Sequence, residues 1–186
     1  MPNNVDYHIE KCKTSQNPKT WIQNSCLWYS NILVKKLTKT KFEEYISEFQ
    51  YGNMNTSGEL ENAWISSSLK ISPIQQIEFL QKIINKEFNL SQEAYEYTKN
   101  LMFIQVIEDN WKLYGKTGSG YQVINNKKTE LKHGWFVGYI EKNNQQIVFA
   151  SHVLNKNVEK GFASQKAKHL AINNLNDLIL KLSKQK

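Results

Sequence analysis

Residues 111–120 read Trp111-Lys112-Leu113-Tyr114-Gly115-Lys116-Thr117-Gly118-Ser119-Gly120. An aromatic and β-branched run that ends in a cation, a hydroxyl and two glycines is a strand running out into a site. Lysine supplies charge and threonine a donor, and glycine lets a ligand approach the backbone, so the pattern suits an anionic molecule laid along a sheet edge. Two further runs, 134–141 and 146–154, have the same strand character and are bounded by Gly, Asn or Lys clusters. Asn143-Asn144 between them predicts an antiparallel hairpin.

On the N-terminal side the period changes to that of helices. Residues 1–19 are polar, with Pro2 and Pro18, and read as a lead-in to a single unit over 20–186. Trp21, Ile22, Leu27, Trp28, Ile32, Leu33 and Val34 predict helix over 18–37, in two pieces capped around Asn24-Ser25. Phe42, Tyr45, Ile46 and Phe49 have i, i+3, i+4, i+7 spacing and predict a short helix closed by Gly52 as a C-cap. Residues 63–69 read as another short helix. Ser72-Pro73 opens a helix over 73–87, and Ser91 caps the next. A last helix of about 20 residues from Ser164 would bury Ala167, Leu170, Ala171, Leu175, Leu178, Ile179 and Leu182. Helices, then three antiparallel strands, then a terminal helix packed on them make an α+β fold.

Composition excludes several function classes. The apolar fraction of 40% and aromatic fraction of 12% argue against disorder. No run approaches the roughly 20 apolar residues of a membrane helix. Residues 1–18 have no apolar signal-peptide region, so the chain as written is expected in the cytoplasm. The net charge is +7, yet all 24 basic residues are lysines spread along the chain, without the arginine on which nucleic-acid readers lean. A nucleic-acid partner is not expected, and neither is a membrane. Cys12 and Cys26 are too few for a disulfide framework or a zinc site, and Cys26 reads as a small buried thiol. No metal site is expected.

Three upstream boxes stand in register with the lysine strand: Ser25-Cys26-Leu27, Tyr51-Gly52-Asn53, and Ala63-Trp64 followed by Ser67-Ser68-Leu69-Lys70-Ile71-Ser72-Pro73. Together with Leu113–Gly118 and Gly134-Trp135-Phe136-Val137-Gly138-Tyr139 they resemble the Ser-x-Val, Tyr-Gly-Asn, tryptophan and Lys-Thr-Gly segments of class D (oxacillinase-type) serine β-lactamases. The likeness covers about residues 20–182 and implies the β-lactamase/transpeptidase fold without its N-terminal strands. It implies a β-lactam as ligand and hydrolysis through a serine acyl-enzyme. Ser25 would relay a proton toward the leaving lactam nitrogen. Lys116 would bind the substrate carboxylate and raise the local potential, with Thr117 hydrogen-bonding it and Gly118 leaving room. The Ser119 N–H would form half of an oxyanion hole. Leu27 and Trp64 would line the pocket, and Tyr51 and Asn53 would brace it.

The departures from that family decide the expected activity. Its Ser-x-x-Lys nucleophile box lies well upstream of Ser-x-Val, and residues 1–24 contain no such box. The chain therefore reads as the C-terminal two-thirds of such a protein, inactive alone, with no counterpart of the family's CO2-carbamylated lysine and no other cofactor. Ser67-Ser68-Leu69-Lys70 is a literal match in this sequence, but Ser72-Pro73 cuts it off from any helix. Leu27 replaces the family valine. The family's carboxylate-binding arginine has no counterpart, which leaves Lys116 to act with Ser151 or Lys166. A sheet without its N-terminal strands would present an unpaired edge, inviting self-association or complementation by a front fragment. Family members are periplasmic or secreted. A non-catalytic regulatory module on the same fold, or a penicillin-binding transpeptidase relative, are the alternative readings.

Overall fold

The computed structural model describes residues 9–125, 127–155 and 162–184. Seven helices and a four-stranded antiparallel sheet follow in chain order: α1 (Pro18–Asn24), α2 (Leu27–Leu37), α3 (Lys39–Glu48), α4 (Ala63–Ser66), α5 (Pro73–Ile84), α6 (Gln92–Met102), β1 (Phe103–Val106), β2 (Lys112–Ile124), β3 (Lys127–Lys142), β4 (Gln145–Asn155) and α7 (Ala163–Ser183). The strands lie in sequence order, β1-β2-β3-β4, so each neighbour is reached by a short reversal. The α+β layout read from the sequence is the observed one.

Local chemistry explains most boundaries. Asn17 and Ser72 each close a capping box, with Thr20 and Gln75 answering at the third helical position and a proline at the first turn. The expected break at Asn24-Ser25 is real: Ser25 takes a left-handed conformation (φ 56°) between α1 and α2. Asn143, also left-handed, turns the β3–β4 hairpin where the sequence placed it.

Other boundaries moved for tertiary reasons. A fourth strand, β1, follows α6 directly and pairs Phe103 with Tyr114 and Val106 with Lys112. No turn signal separates it from the helix, so the sequence shows only a helix running on. The β2–β3 ladder extends past Gly118 as far as Ile124 opposite Lys127, because two paired strands can continue beyond the residues they bury. Gly52 does have positive φ (58°), but four residues after α3 has ended, where an added Cβ would clash with the Lys70 carbonyl. The short helix expected over 63–69 stops at Ser66.

One face of β2 and β3 lies under α7. Leu113, Phe136 and Ile140 are fully buried there against Ala167, Ala171, Leu175 and Ile179, with Trp111 at the margin. The buried stripe of α7 follows i, i+4, i+8, i+12. It is narrower than the sequence pattern, since Leu170, Leu178 and Leu182 are exposed. Small residues at 167 and 171 let the helix approach the sheet, and Gly134 lets its first turn do so: an added Cβ would lie 2.2 Å from the Ala163 carbonyl oxygen.

The two cysteines correct the reading of their pattern. Cys12 and Cys26 form a disulfide across a separation of 14 residues, with Cα atoms 5.5 Å apart. The bond ties the three-ten turn Glu10–Lys13 to the α1–α2 junction, where Trp28 Nε1 also donates to the Cys12 carbonyl (3.0 Å). A single pair has no spacing signature; only the fold brings the two together.

Two stability measurements follow from this packing. Gly134→Ala must lift the start of α7 off β3 and should cost about 1–3 kcal/mol in urea unfolding. Reduction of the disulfide should cost about 3 kcal/mol, the entropy of freeing a loop of this size in the unfolded chain.

Candidate active site

Lys116 is the centre of the site. It alternates with Leu113, Gly115 and Thr117 along β2, and so emerges on the sheet face opposite α7. Its Nζ donates to Ser25 Oγ (2.5 Å) and to the Thr117 carbonyl (2.9 Å). Ser25 reaches it across 91 residues because the left-handed turn between α1 and α2 points the hydroxyl at the strand. That turn is held by Ser25 N–H to the Ile22 carbonyl (3.3 Å) and Cys26 N–H to the Trp21 carbonyl (3.2 Å). Burial pushes the Lys116 ammonium down to about 8, and among the described residues no carboxylate forms an ion pair with it.

The strand edge beside Lys116 is open. β1 covers β2 only as far as Tyr114, and a cavity of about 180 Å³ begins where it stops. Gly115, Lys116 and Thr117 line one wall, Ile22 and Phe103 the others, and Lys168 reaches in from α7. Two cations, a hydroxyl and an apolar rim suit a small anion with an apolar body. A larger cavity of about 530 Å³ between α5 and β4, lined by Glu78, Lys82 and Gln146, contains none of the expected site residues.

The sequence-derived residues divide into those that meet and those that do not. Ser25, Lys116 and Thr117 come together. Gly118 continues the same exposed strand, and Ser119 Oγ accepts from the Ser164 N–H (3.1 Å), which ties the strand end to α7. Leu27 opens α2 and is 51% exposed. Trp64 lies against Phe42 on α4, at 6.5 Å between ring centroids. Tyr51 donates to Gln76 Oε1 (3.1 Å) and packs edge-on against Phe79. Asn53 holds the stretch 68–70 in place: its Nδ2 donates to the Ser68 carbonyl and its Oδ1 accepts from Lys70 N–H, each at 2.9 Å.

That clamp disposes of Ser67-x-x-Lys70 as a nucleophile and base. The segment runs extended beyond α4, and Lys70 is exposed. These residues do not fit a buried carbamylated lysine, and no step is derived through one. The partners guessed for Lys116 were also misplaced. Ser151 lies on the opposite sheet face and donates to the Ala167 carbonyl (3.0 Å), and Lys166 is exposed. Lys168 takes the place beside Thr117 instead. Its position next to Ala167 in the buried stripe of α7 was the available signal.

Among the described residues no group of three or more His, Cys, Asp or Glu is placed to hold a metal ion, and no helix is long and apolar enough to cross a membrane.

Comparison with known proteins bears on the family and the fold. The model of the penicillin binding protein transpeptidase domain matches residues 3–176. β-Lactamase OXA-1 of Escherichia coli is 38% identical over 179 residues, covering 92% of this chain and 63% of that protein. The crystal structure of the class D β-lactamase OXA-427 superposes with a TM-score of 0.91 at 32% identity, over 98% of this chain and 78% of the other. The C-terminal domain of the Bacillus licheniformis BlaR penicillin-receptor gives 0.79 at 26% identity, over 91% and 66%. The chain spans 63% of the length of OXA-1.

The lowered pKa of Lys116 has a signed consequence. In the unfolded chain the amine keeps its ordinary value of 10.5, so between about 8 and 10.5 the unfolded state binds more protons. The contribution of this group to stability should therefore rise with pH across that window. In ¹³C-labelled lysine NMR one resonance should titrate near 8, and Lys116→Met should remove both that resonance and the pH-dependent gain.

Proposed function

The chain belongs to the penicillin binding protein transpeptidase domain family, as a class D β-lactamase-like member, and on that premise we propose that it carries the substrate-anchoring and proton-relay side of a β-lactam site. The observation that carries the reading is the half-buried Lys116–Ser25 contact beside an open strand edge. Residues 20–186 are then the C-terminal part of a class D β-lactamase-like domain, preceded by a polar lead-in.

This reading gives each residue a role. Lys116 attracts the carboxylate of the β-lactam, and the Thr117 hydroxyl hydrogen-bonds it. Ser25 passes a proton toward the lactam nitrogen, with the Lys116 ammonium holding its oxygen in position. The Ser119 N–H contributes to the oxyanion hole, its strand end tied down by the Ser164 contact. Gly118 allows close approach. Leu27 and Trp64 supply apolar cover, and Tyr51 and Asn53 brace the helical side through Gln76 and residues 68–70. Among the described residues no Ser-x-x-Lys box opens a buried helix, so this chain by itself binds without hydrolysing. Likeness to a penicillin-receptor domain favours the same outcome and supports a second reading, a binding or regulatory module.

Partners and compartment follow from two further observations. β4 is an edge strand of eleven residues with no charged residue and no proline. Such an edge supports pairing with another strand, from a second copy or from a separate front segment. The Cys12–Cys26 disulfide supports an oxidising compartment rather than the cytoplasm.

The deciding experiment exposes the purified chain to a fluorescent penicillin and reads intact mass alongside fluorescence anisotropy. Reversible binding without a covalent adduct, weakened by about tenfold or more in Lys116→Ala through loss of a charge-assisted contact, is expected. A stable acyl adduct would overturn the assignment of a non-acylating site; unchanged affinity in Lys116→Ala would overturn the anchoring role.

A further inference from the structure

A second constellation lies on the Lys116 face of the sheet, four residues farther along β3. His133 Nδ1 and His152 Nε2 stand 2.8 Å apart, with the two imidazoles edge to edge at 5.0 Å between centroids and 27° between planes. The register explains the meeting: Trp135 lies opposite His152 and Leu154 opposite His133, so the histidines are diagonal neighbours on one face. Lys116 pairs with Val137, which puts the histidines about 14 Å along the strand from it, outside the proposed penicillin site.

From this juxtaposition the geometry points to a binding site for a divalent transition-metal ion of the Zn²⁺ class, held by His133 Nδ1 and His152 Nε2 with water completing the shell. Imidazole nitrogen is a favoured donor for such ions. Metal–nitrogen bonds of about 2.0–2.1 Å in tetrahedral geometry place two ligand nitrogens roughly 3.4 Å apart. The present 2.8 Å contact is shorter than that, so metal entry requires the two rings to turn apart. By the register their neighbours on this face, Gly120, Trp135 and Leu154, are uncharged, so no ammonium opposes a cation there. Both rings are half-buried and their pKa values lie below the usual histidine range, through burial and, for His152, the neighbouring ring. Both are therefore neutral at pH 7. Metal entry requires each ring to carry its single proton on the other nitrogen, a tautomer change that releases no net proton.

The inference does not rest on the penicillin reading and is tested apart from it. Zn²⁺ alone, and Cu²⁺ for comparison, would be titrated into the chain by calorimetry. One equivalent should bind, Cu²⁺ more tightly than Zn²⁺. His133→Gln and His152→Gln should each weaken binding by more than the roughly tenfold that loss of an outer-shell partner costs. His169→Gln, on the exposed face of α7, should leave it unchanged. Trp135 stands 4.3 Å from His152 between ring centroids, so Cu²⁺ should quench its fluorescence and Trp135→Phe should remove that share. In the unaltered chain, imidazole ¹⁵N resonances of His133 and His152 should shift with Zn²⁺ whether or not the variants fold. No uptake, or uptake with both resonances unmoved, would overturn the site.

Discussion

Burial of Leu113, Phe136 and Ile140 beneath α7 is the constraint from which the rest of the molecule follows. Side chains on a strand alternate, so committing these residues to one face commits Lys116, Trp135, His133 and His152 to the other. A slip of one residue would turn Lys116 into the core and Leu113 into solvent. Both the open edge at Lys116 and the histidine pair are therefore consequences of how α7 packs. The small residues Gly134, Ala167 and Ala171 keep that packing close.

Against this sheet, the helical region delivers one hydroxyl. Ser25 sits in a left-handed turn, a conformation unfavourable for a residue with a side chain, and it is held by α1, α2 and the Cys12–Cys26 bond beside it. What the turn gives is a fixed hydrogen-bond partner for an ammonium whose pKa burial lowers. The pair joins two regions distant in sequence at the mouth of a cavity too small for more than part of a ligand. The penicillin-receptor likeness shows that the same fold serves a protein named for reception as well as enzymes named for hydrolysis.

The Tyr51-Gly52-Asn53 box illustrates how a motif can be structural here. Its tyrosine is spent on Gln76 and Phe79, its glycine on a close approach to the Lys70 carbonyl, and its asparagine on fixing residues 68–70. The same hydrogen bonds that brace this segment keep Ser67 and Lys70 off a helix. A literal motif is thus cancelled by the local backbone around it.

The class of fold, the lysine strand, the capped helices and the family were legible from residue order, because alternation, capping and turn chemistry are local and act wherever those residues occur. Lys116 was legible from the residue types around it, whereas Ser25 was legible as its partner only through resemblance, since nothing local links positions 91 residues apart. Tertiary structure alone decided that Cys12 meets Cys26, that β1 pairs onto β2, and that Lys168 rather than Lys166 or Ser151 enters the cavity. It also decided that two histidines on different strands face each other. These are contacts between elements, set by strand register and by the rotation of α7 about its axis, and neither quantity is written in any short stretch of sequence.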